Sequence, residues 1–262
     1  MKAAIVIPAR FASTRFPGKP LVLIRNKPLV QWVWERAMRC RRAGRVVVAT
    51  DDERIYRAVE FFGGEAVMTS PDHPSGTDRI AEVARKVKAA LYVNLQGDEP
   101  LIDPAEIDRL IDGLVRSRAD LATLAHPIED SADLANPNVV KVVTDARGRA
   151  LYFSRSPIPY WRDGQGKTPA ELKKLKQKGR KGQKDPAAPP YWRHVGIYAY
   201  RAAALKRFVG FPPSPLERAE SLEQLRALEN GLLLQVIPTK MRCQGVDTPA
   251  DLAAVTRLLK KT

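Results

Sequence analysis

Cysteine is scarce in this sequence, where only Cys40 and Cys243 occur among 262 residues. Two distant cysteines without a Cys-x-x-Cys pair provide neither a disulfide framework nor a zinc site, so a reducing compartment is expected. No apolar stretch approaches the roughly 18 residues that a membrane-spanning helix needs. The first apolar run, which Pro8 and Arg10 interrupt, does not resemble a signal peptide. These absences predict a soluble, cytoplasmic protein with no transmembrane segment.

Acidic residues are outnumbered, with 29 Asp and Glu against 44 Lys and Arg, which gives a formal net charge of +15. A basic surface attracts any polyanion, so a nucleic-acid-binding protein is one alternative. Between Asp163 and Pro190, eight Lys or Arg stand against three Asp or Glu, a net of +5. This segment is rich in glycine and proline and has hardly any large apolar side chain. We therefore predict a mobile basic loop at 163–190, with a short helix near 170–178, and no specific nucleic-acid partner.

Apolar runs alternate with helical periodicity over the first 125 residues. Such alternation indicates an α/β fold with a doubly wound, mostly parallel sheet. The predicted strands are 3–7, 45–49, 91–95 and 121–125, and the predicted helices lie around 29–38, 55–62, 80–87 and 107–114.

The rest of the chain is less regular, which predicts a smaller inserted α+β sub-domain. Two apolar runs flank an Asp145–Gly148 turn and indicate a hairpin. The further predicted elements are a strand at 195–200, a helix at 215–228, a strand at 232–237 and a closing helix at 249–259.

Three cations follow the first predicted strand in a loop of small residues: Arg10, Arg15 and Lys19. Ligands of open α/β sheets bind at the carboxyl ends of strands, and guanidinium and ammonium groups suit phosphate oxygens. The loop is neither a Walker A motif, since Pro20 follows Gly-Lys, nor a dinucleotide fingerprint. Charge alone favours a polyphosphate site and a solvated basic loop equally.

Two acidic motifs accompany this loop. Gln-Gly-Asp-Glu-Pro at 96–100 follows the third predicted strand, at the same sheet edge. It is either a plain turn or, through Asp98, a ligand of Mg²⁺ beside a polyphosphate. In Gly245–Leu252, Thr248 can cap the last helix, with Pro249 and Asp251 in its first turn, but capping leaves Asp247 unexplained.

Taken together, these motifs resemble a known family. Pro-Ala-Arg-x-x-Ser-Thr-Arg-x-Pro-Gly-Lys-Pro-Leu resembles the signature loop of sugar nucleotidyltransferases. With the two acidic motifs, the chain is most similar to the 3-deoxy-manno-octulosonate (Kdo) cytidylyltransferases. The resemblance implies that Asp98 and Asp247 hold Mg²⁺ as the cofactor. It also implies that the loop holds the triphosphate of CTP through Ala9, Arg10, Ser13, Arg15 and Lys19.

Further motifs carry the resemblance toward the base and the acceptor sugar. In Ser-Gly-Thr-Asp-Arg at 75–79, Thr77 or Asp78 could merely cap a helix, but the family pattern assigns Ser75 and Arg79 to the cytosine and ribose. The remaining implied contacts are Gln96 with both substrates and Arg155, His194, Glu223 and Gln224 with the sugar. A surface ion pair for the arginine and a structural role for the histidine are the alternatives from the residues alone.

The reaction implied is CTP plus Kdo giving CMP-Kdo and pyrophosphate, which activates the sugar for lipopolysaccharide synthesis. Positioning and charge neutralisation by Arg10, Lys19 and Asp98 would supply the catalysis. A homodimer is expected. The implied single domain, 1–262, divides into a nucleotide-binding half (1–125), a sugar-binding and dimerisation part (126–245) and a closing metal-ligand turn and helix (246–262). The alternatives are another keto-sugar acid as acceptor, such as 8-amino Kdo or sialic acid, and a polyanion-binding protein with a degenerate transferase site.

Overall fold

The computed structural model describes residues 2–12, 16–162, 191–241 and 245–259. The predicted basic loop at 163–190 lies outside the described residues, as do Ser13 and Arg15. No helix in the described ranges is both long and apolar enough to span a bilayer.

A nine-stranded sheet forms the centre of the described chain, with a two-stranded hairpin beside it. The strands are β1 Ala3–Ala9, β2 Leu23–Ile24, β3 Lys27–Pro28, β4 Ala43–Thr50, β5 Glu65–Met68, β6 Leu91–Asn94, β7 Leu121–Pro127, β8 Lys141–Thr144, β9 Ala150–Ser154, β10 Trp192–Arg201 and β11 Leu234–Pro238. The main order is β11-β7-β10-β6-β1-β4-β5, and β8 pairs with both β10 and β9. Strands β5, β4, β1 and β6 are parallel, whereas β10 runs antiparallel between β6 and β7.

Helices cover both faces of the sheet. They are α1 Leu29–Met38, α2 Glu53–Phe61, α3 Gly76–Lys86, α4 Pro104–Arg116, α5 Ser131–Ala135, α6 Ala202–Val209, α7 Pro215–Glu220, α8 Gln224–Glu229 and α9 Pro249–Leu258. Buried side chains of α1, α2 and α4 pack on one face, and those of α3, α6 and α8 pack on the other. Strand β1 is apolar along its length because it contributes Ile5 to one core and Val6 to the other. The predicted doubly wound, mostly parallel α/β fold is confirmed.

Two local predictions are corrected, and several elements were not predicted. Strand β1 continues beyond Pro8 to Ala9. Proline has no backbone N–H to donate to a neighbouring strand, but the pairing of β1 with β6 already ends at Val6, and Pro8 is paired with β4 alone. The edge strand β5 and helix α6 were not predicted. The single helix expected at 215–228 is two helices, since Ser221 adopts φ 50° and ends α7. The intervening turn reaches Glu223 and so matters for the site below.

The hairpin of β8 and β9 is confirmed, with Asp145 N donating to Arg149 O at 2.8 Å and Gly148 at φ 77°. Its β8 pairs with the first residues of β10, so it extends the main sheet at that strand. The division into nucleotide-binding, sugar-binding and closing parts stays a prediction.

Candidate active site

Three loops meet at the carboxyl edge of β1 and β6. Gly97 allows the closest approach, since a Cβ there would lie 2.9 Å from the carbonyl oxygen of Pro8. Val246 N donates to Asp98 O at 2.9 Å, which joins the loop before α9 to the loop after β6. The glycine of Gln-Gly-Asp-Glu-Pro is therefore required by packing, and the two acidic motifs lie side by side as predicted.

Lys19 bridges these loops. Gly18, at φ 70°, opens the short 3₁₀ helix Lys19–Leu21 and so places the lysine. The Nζ atom of Lys19 lies 2.6 Å from Asp98 Oδ2 and 3.3 Å from Asp247 Oδ1. The lysine side chain is only 15% exposed, so this ion pair is partly shielded from water. One ammonium between two carboxylates leaves the cluster with a formal charge of −1.

The same two carboxylates fit a magnesium ion. The described residues contain no group of three or more His, Cys, Asp or Glu that could hold a metal ion by themselves. Mg²⁺ is commonly bound by one or two carboxylates, with water and substrate phosphates completing its octahedron. Two carboxylates with hard oxygen atoms at a solvent-accessible edge match that requirement, and they match no soft-metal site.

Arg10 lies at the end of β1, where it is half-buried. Its Nη2 donates to the carbonyl oxygen of His73 at 2.7 Å. Burial, followed by the charge of Arg79, lowers the pKa of Arg10. The segment that carries His73 is itself fixed, because Glu82 accepts from Ser70 N at 2.9 Å and contacts His73 Nε2 at 2.6 Å. Arg10 is thus oriented by a neutral carbonyl and keeps its positive charge.

Arg79 does not face the cleft. Its side chain is 0% exposed, with Nη2 donating to Asp51 Oδ2 at 2.7 Å and Nη1 donating to Thr69 Oγ1. The expected direct contact of Arg79 with the nucleotide has no support in this geometry, because the guanidinium is enclosed. Its position joins α3 to the end of β4.

Ser75 caps α3, since its side chain accepts from Asp78 N, so neither Thr77 nor Asp78 is the capping residue. Ser75 Oγ also donates to Glu223 Oε1 at 2.7 Å, and Thr77 Oγ1 donates to Glu223 Oε2 at 2.9 Å. Burial raises the pKa of Glu223, and these two hydroxyls oppose the rise. Ser75, which is expected near the base, and Glu223, which is expected near the sugar, are therefore joined by a direct hydrogen bond.

His194 lies in β10 and lines the cleft beside the acidic motifs. A register shift between Val195 and Tyr198 brings two carbonyl oxygens, of Val195 and Ile197, within 3.0 and 2.8 Å of Thr123 Oγ1. His194 Nε2 lies 3.0 Å from the same oxygen. Carbonyls only accept, so the arrangement in which the hydroxyl donates to one of them and accepts from Nε2–H satisfies more of these groups than the reverse, and we assign the proton to Nε2 on that ground.

The imidazole is neutral in this environment. Burial lowers the pKa of His194 to about 3, and Phe153 and Tyr198 lie with ring centroids 5.1 and 5.3 Å away. The Nε2–H tautomer leaves Nδ1 as a hydrogen-bond acceptor. Thr123, which sets this tautomer, was missed in the sequence because a threonine in an apolar strand is an ordinary core residue.

The other predicted sugar-side residues are held in different ways. Arg155 donates to the carbonyls of Glu220, Pro137 and Ser221 at 2.7, 3.0 and 3.3 Å. This guanidinium is therefore engaged by backbone, and within the described ranges it does not form the surface ion pair that was its alternative. Gln224 is buried, and its Nε2 has no partner among the described residues. Gln96 is exposed and donates to Gly196 O at 3.4 Å, while Ala9 is buried.

A cleft of about 440 Å³ is lined by Asp98 and Asp247 together with Asn136, Val139 and His194. The structure thus brings Asp98, Asp247 and His194 to one cleft, with Lys19 bonded to both aspartates and Glu223 hydrogen-bonded to the start of α3.

Comparison with known proteins gives consistent relatives. The family model described as "Cytidylyltransferase" matches residues 4–239. The 3-deoxy-manno-octulosonate cytidylyltransferase of Pseudomonas fluorescens (strain SBW25) is 54% identical over 260 residues, 97% of each chain. The protein of the same name from Geobacter sulfurreducens is 51% identical over 261 residues, covering 99% of this chain and 100% of that one.

Solved structures agree with these sequence relatives. The structure of CMP:2-keto-3-deoxy-manno-octonic acid synthetase complexed with CTP has a TM-score of 0.87 and 45% identity, covering 100% of this chain and 99% of that one. A glucose-1-phosphate thymidylyltransferase from Bacillus anthracis, at 13% identity and a TM-score of 0.64, covering 100% of this chain and 96% of that one, shares the fold.

Proposed function

Because the chain belongs to the cytidylyltransferase family, we propose that it transfers CMP from CTP to Kdo, forming CMP-Kdo and pyrophosphate. The full-length similarity to Kdo cytidylyltransferases supports this reaction over the other keto-sugar acids and over a polyanion-binding protein. The structural observation that carries the proposal is Lys19 bridging Asp98 and Asp247, two residues that line the cleft.

Cations of the first loop would bind the β- and γ-phosphates of CTP. Lys19 is paired with carboxylates and Arg10 with a carbonyl, so both can turn to phosphate oxygens without leaving a buried charge unpaired. Both would then stabilise the negative charge that develops on the departing pyrophosphate. Ser13 and Arg15 are predicted to add to this loop.

Asp98 and Asp247 would hold Mg²⁺, which when bound supplies charge neutralisation at the α-phosphate. The carboxylates also fix the loops: Val246 N donates to Asp98 O, and Asp247 N donates to Asp251 Oδ2 at 3.1 Å. Asp251 remains the capping residue of α9, together with Thr248. The ligand side chains are therefore presented by backbone that is already bonded in place.

The acceptor would occupy the cleft beside the two aspartates. The anomeric oxygen forms a new bond to the α-phosphorus, the bond to the bridging oxygen of pyrophosphate breaks, and the hydroxyl proton passes to water. His194 is not suited to act as a base near neutral pH, because its pKa is about 3. Its Nδ1 would instead accept a hydrogen bond from a sugar hydroxyl and orient the acceptor. A homodimer and a cytoplasmic location stay predictions.

Pyrophosphate release by the purified protein tests this proposal. The assay contains Mg²⁺ with CTP, ATP, GTP or UTP, each combined with Kdo, 8-amino Kdo or a sialic acid. Release that requires both CTP and Kdo and stops with EDTA is the expected result. Release with CTP and a different sugar acid would keep the cytidylyltransferase reaction and show that the acceptor is that acid and not Kdo. No release from the folded protein with any pair would overturn the proposed reaction.

A further inference from the structure

Lys141, at the start of β8, is a lysine with 0% exposed surface. Lysine is almost never fully buried unless its charge is compensated. Here the ammonium donates to three backbone carbonyls: that of Asn136 at 3.0 Å, that of Val139 at 2.7 Å and that of Arg155. An ammonium has three donors, so all of them are used by carbonyls from two separate chain segments.

Two of these carbonyls belong to the wall of the acceptor cleft. Asn136 and Val139 both line the cleft together with His194. The residue that follows them, Val140, contacts the histidine backbone, since His194 N donates to Val140 O at 2.9 Å. Lys141 therefore fixes the curvature of the wall segment, residues 136–139, directly before the residue that is bonded to His194.

The third carbonyl extends the same cluster to a second wall. Arg155, whose carbonyl accepts from Lys141, donates from its side chain to Pro137 O, Glu220 O and Ser221 O. The carboxylate of Glu220 accepts in return from Arg155 N at 2.9 Å and Ser154 Oγ at 2.6 Å. The wall segment is thereby linked to the turn that precedes Glu223 and Gln224.

We propose that Lys141 is a positioning residue for the acceptor sugar acid: it sets the distance between the wall segment and the 220–224 turn without contacting the substrate. The inference rests on the proposed function, because it names the side of the site that selects the sugar. Removing the ammonium takes the lysine donor from the buried carbonyl of Val139 and the partly buried carbonyl of Arg155, and leaves Asn136 O with the bond from Val139 N at 3.1 Å, so the wall shifts while the nucleotide loops remain in place.

Arg201, at the other end of β10, offers a matched control. It also donates to three backbone carbonyls, those of Ala119, Leu114 and Ser117, at 2.9, 3.0 and 2.9 Å. None of these four residues is among those that line the cleft. Arg201→Met therefore removes the same number of cation-to-carbonyl bonds, from a partly buried side chain, away from the cleft.

Steady-state kinetics on Lys141→Met, Lys141→Gln and Arg201→Met test the proposal. We expect Lys141→Met to raise KM for the sugar acid by about tenfold or more with KM for CTP unchanged, since small misplacements are costly in such sites. Lys141→Gln keeps two donors and should fall between wild type and Lys141→Met. Arg201→Met should leave both KM values at wild-type level. An unchanged sugar KM in Lys141→Met, or an equal rise in Arg201→Met, would overturn the proposal.

Hydrogen exchange separates this inference from the proposed reaction, because it needs no turnover. In Lys141→Met, or in Lys141→Gln should the methionine variant not fold, faster exchange is expected in peptides covering 136–140 and 220–224. Peptides covering 91–98 should be unaffected. Exchange that rises uniformly over the chain would show a structural role alone and refute positioning. Wild-type protein that lacks activity with Kdo would refute the proposed acceptor while leaving this exchange result interpretable.

Discussion

The two sides of the cleft hold their cations in different ways. On the nucleotide side, Lys19 is paired with Asp98 and Asp247, and Arg79 is paired with Asp51. On the acceptor side, Lys141 and Arg155 donate to backbone carbonyls. Lys19 and Arg79 are thus held by carboxylates, whereas Lys141 and Arg155 are held by backbone carbonyls. Arg10, which donates to His73 O, and Arg193, which pairs with Asp133, are exceptions on the two sides.

Because of this difference, the ion pairs of Lys19 can exchange partners, whereas the cation-to-carbonyl bonds of Lys141 and Arg155 are permanent. A carboxylate-bound ammonium at a solvent-accessible edge can exchange its partner for a phosphate oxygen, and the released carboxylate can then accept a metal ion. A cation enclosed by carbonyls has no such exchange, because leaving would strand several buried acceptors. Lys19 and its carboxylates are thus able to rearrange for the polyanion of the proposed reaction, whereas Lys141 and Arg155 hold the proposed acceptor side in one arrangement.

The largest effect is expected for Asp98→Asn, which tests the exchangeable side. We expect kcat to fall by about 10³-fold, because a lost ligand weakens charge stabilisation at the reacting phosphate. The melting temperature should change little, since Asp98 is partly exposed and Val246 bonds to its backbone oxygen. Pyrophosphate release at saturating substrates, with thermal unfolding alongside, measures both.

A matched control for Asp98→Asn is Asp145→Asn, in the exposed hairpin turn, which should retain wild-type kcat. Asp145 accepts from the backbone nitrogens of Arg147 and Arg149 and has no role in the cleft. If Asp98→Asn kept its magnesium-dependent rate, Asp98 would not be a metal ligand.

Arg79→Met probes stability on the same side. Arg79 is fully enclosed and Asp51 has only 15% of its side chain exposed, so the substitution leaves a shielded carboxylate without its partner. We expect a loss of about 3–5 kcal/mol in the free energy of unfolding, measured by urea denaturation.

The control for Arg79→Met is Arg45→Met, which removes a bidentate ion pair with Glu65 at the surface. The side chain of Arg45 is 51% exposed and that of Glu65 is 35% exposed. That pair should contribute about 0–1 kcal/mol. Equal losses from Arg79→Met and Arg45→Met would remove the distinction between enclosed and exposed pairs.

Sequence reasoning placed the loops after β1 and β6 at one edge of the sheet, as the structure shows, for a physical reason. The loops after β1 and β6 follow buried parallel strands, whose apolar runs and common carboxyl edge are readable from local pattern. The bond between Lys19 and Asp98 follows once both loops are placed at that edge.

The acceptor side depends on local backbone geometry instead. A positive φ at Ser221 breaks the helix expected at 215–228, and a register shift after Val195 places two carbonyls beside Thr123. Neither of these backbone features produces a periodic pattern of apolar residues in the sequence. Lys141 was readable as an oddity, a lysine within Val-Val-Lys-Val-Val, but its three carbonyl partners come from the tertiary fold.

Glu82 gives the nucleotide side a pH dependence. Burial opposes its ionisation, but bonds from Ser70 N and His73 hold the pKa of Glu82 down at about 2. A carboxyl group whose pKa is lower in the folded state stabilises the fold above its unfolded pKa, and that contribution is lost as pH falls through the folded pKa.

We therefore expect Glu82→Gln to lose about 1–2 kcal/mol of unfolding free energy at pH 7, an amount reduced for solvent screening. The difference from wild type should be constant down to about pH 5 and shrink between about pH 4.5 and 2. Urea titrations over this range measure it. A difference that grew on acidification would contradict the assigned sign.

The smallest effect is expected for the acceptor side, where pH should change nothing near neutrality. With its pKa lowered to about 3 by burial, His194 stays neutral between pH 5 and 8, so its ring NMR signals should not move over that range. The Nε2–H tautomer is expected from its contact with Thr123.

Thr123→Val removes the hydroxyl that sets this tautomer and should raise KM for the sugar acid about two- to fivefold without changing KM for CTP. A His194 ring that titrated near pH 6.5 would place an exchangeable charge on the acceptor side, and the contrast between the two sides would fail there.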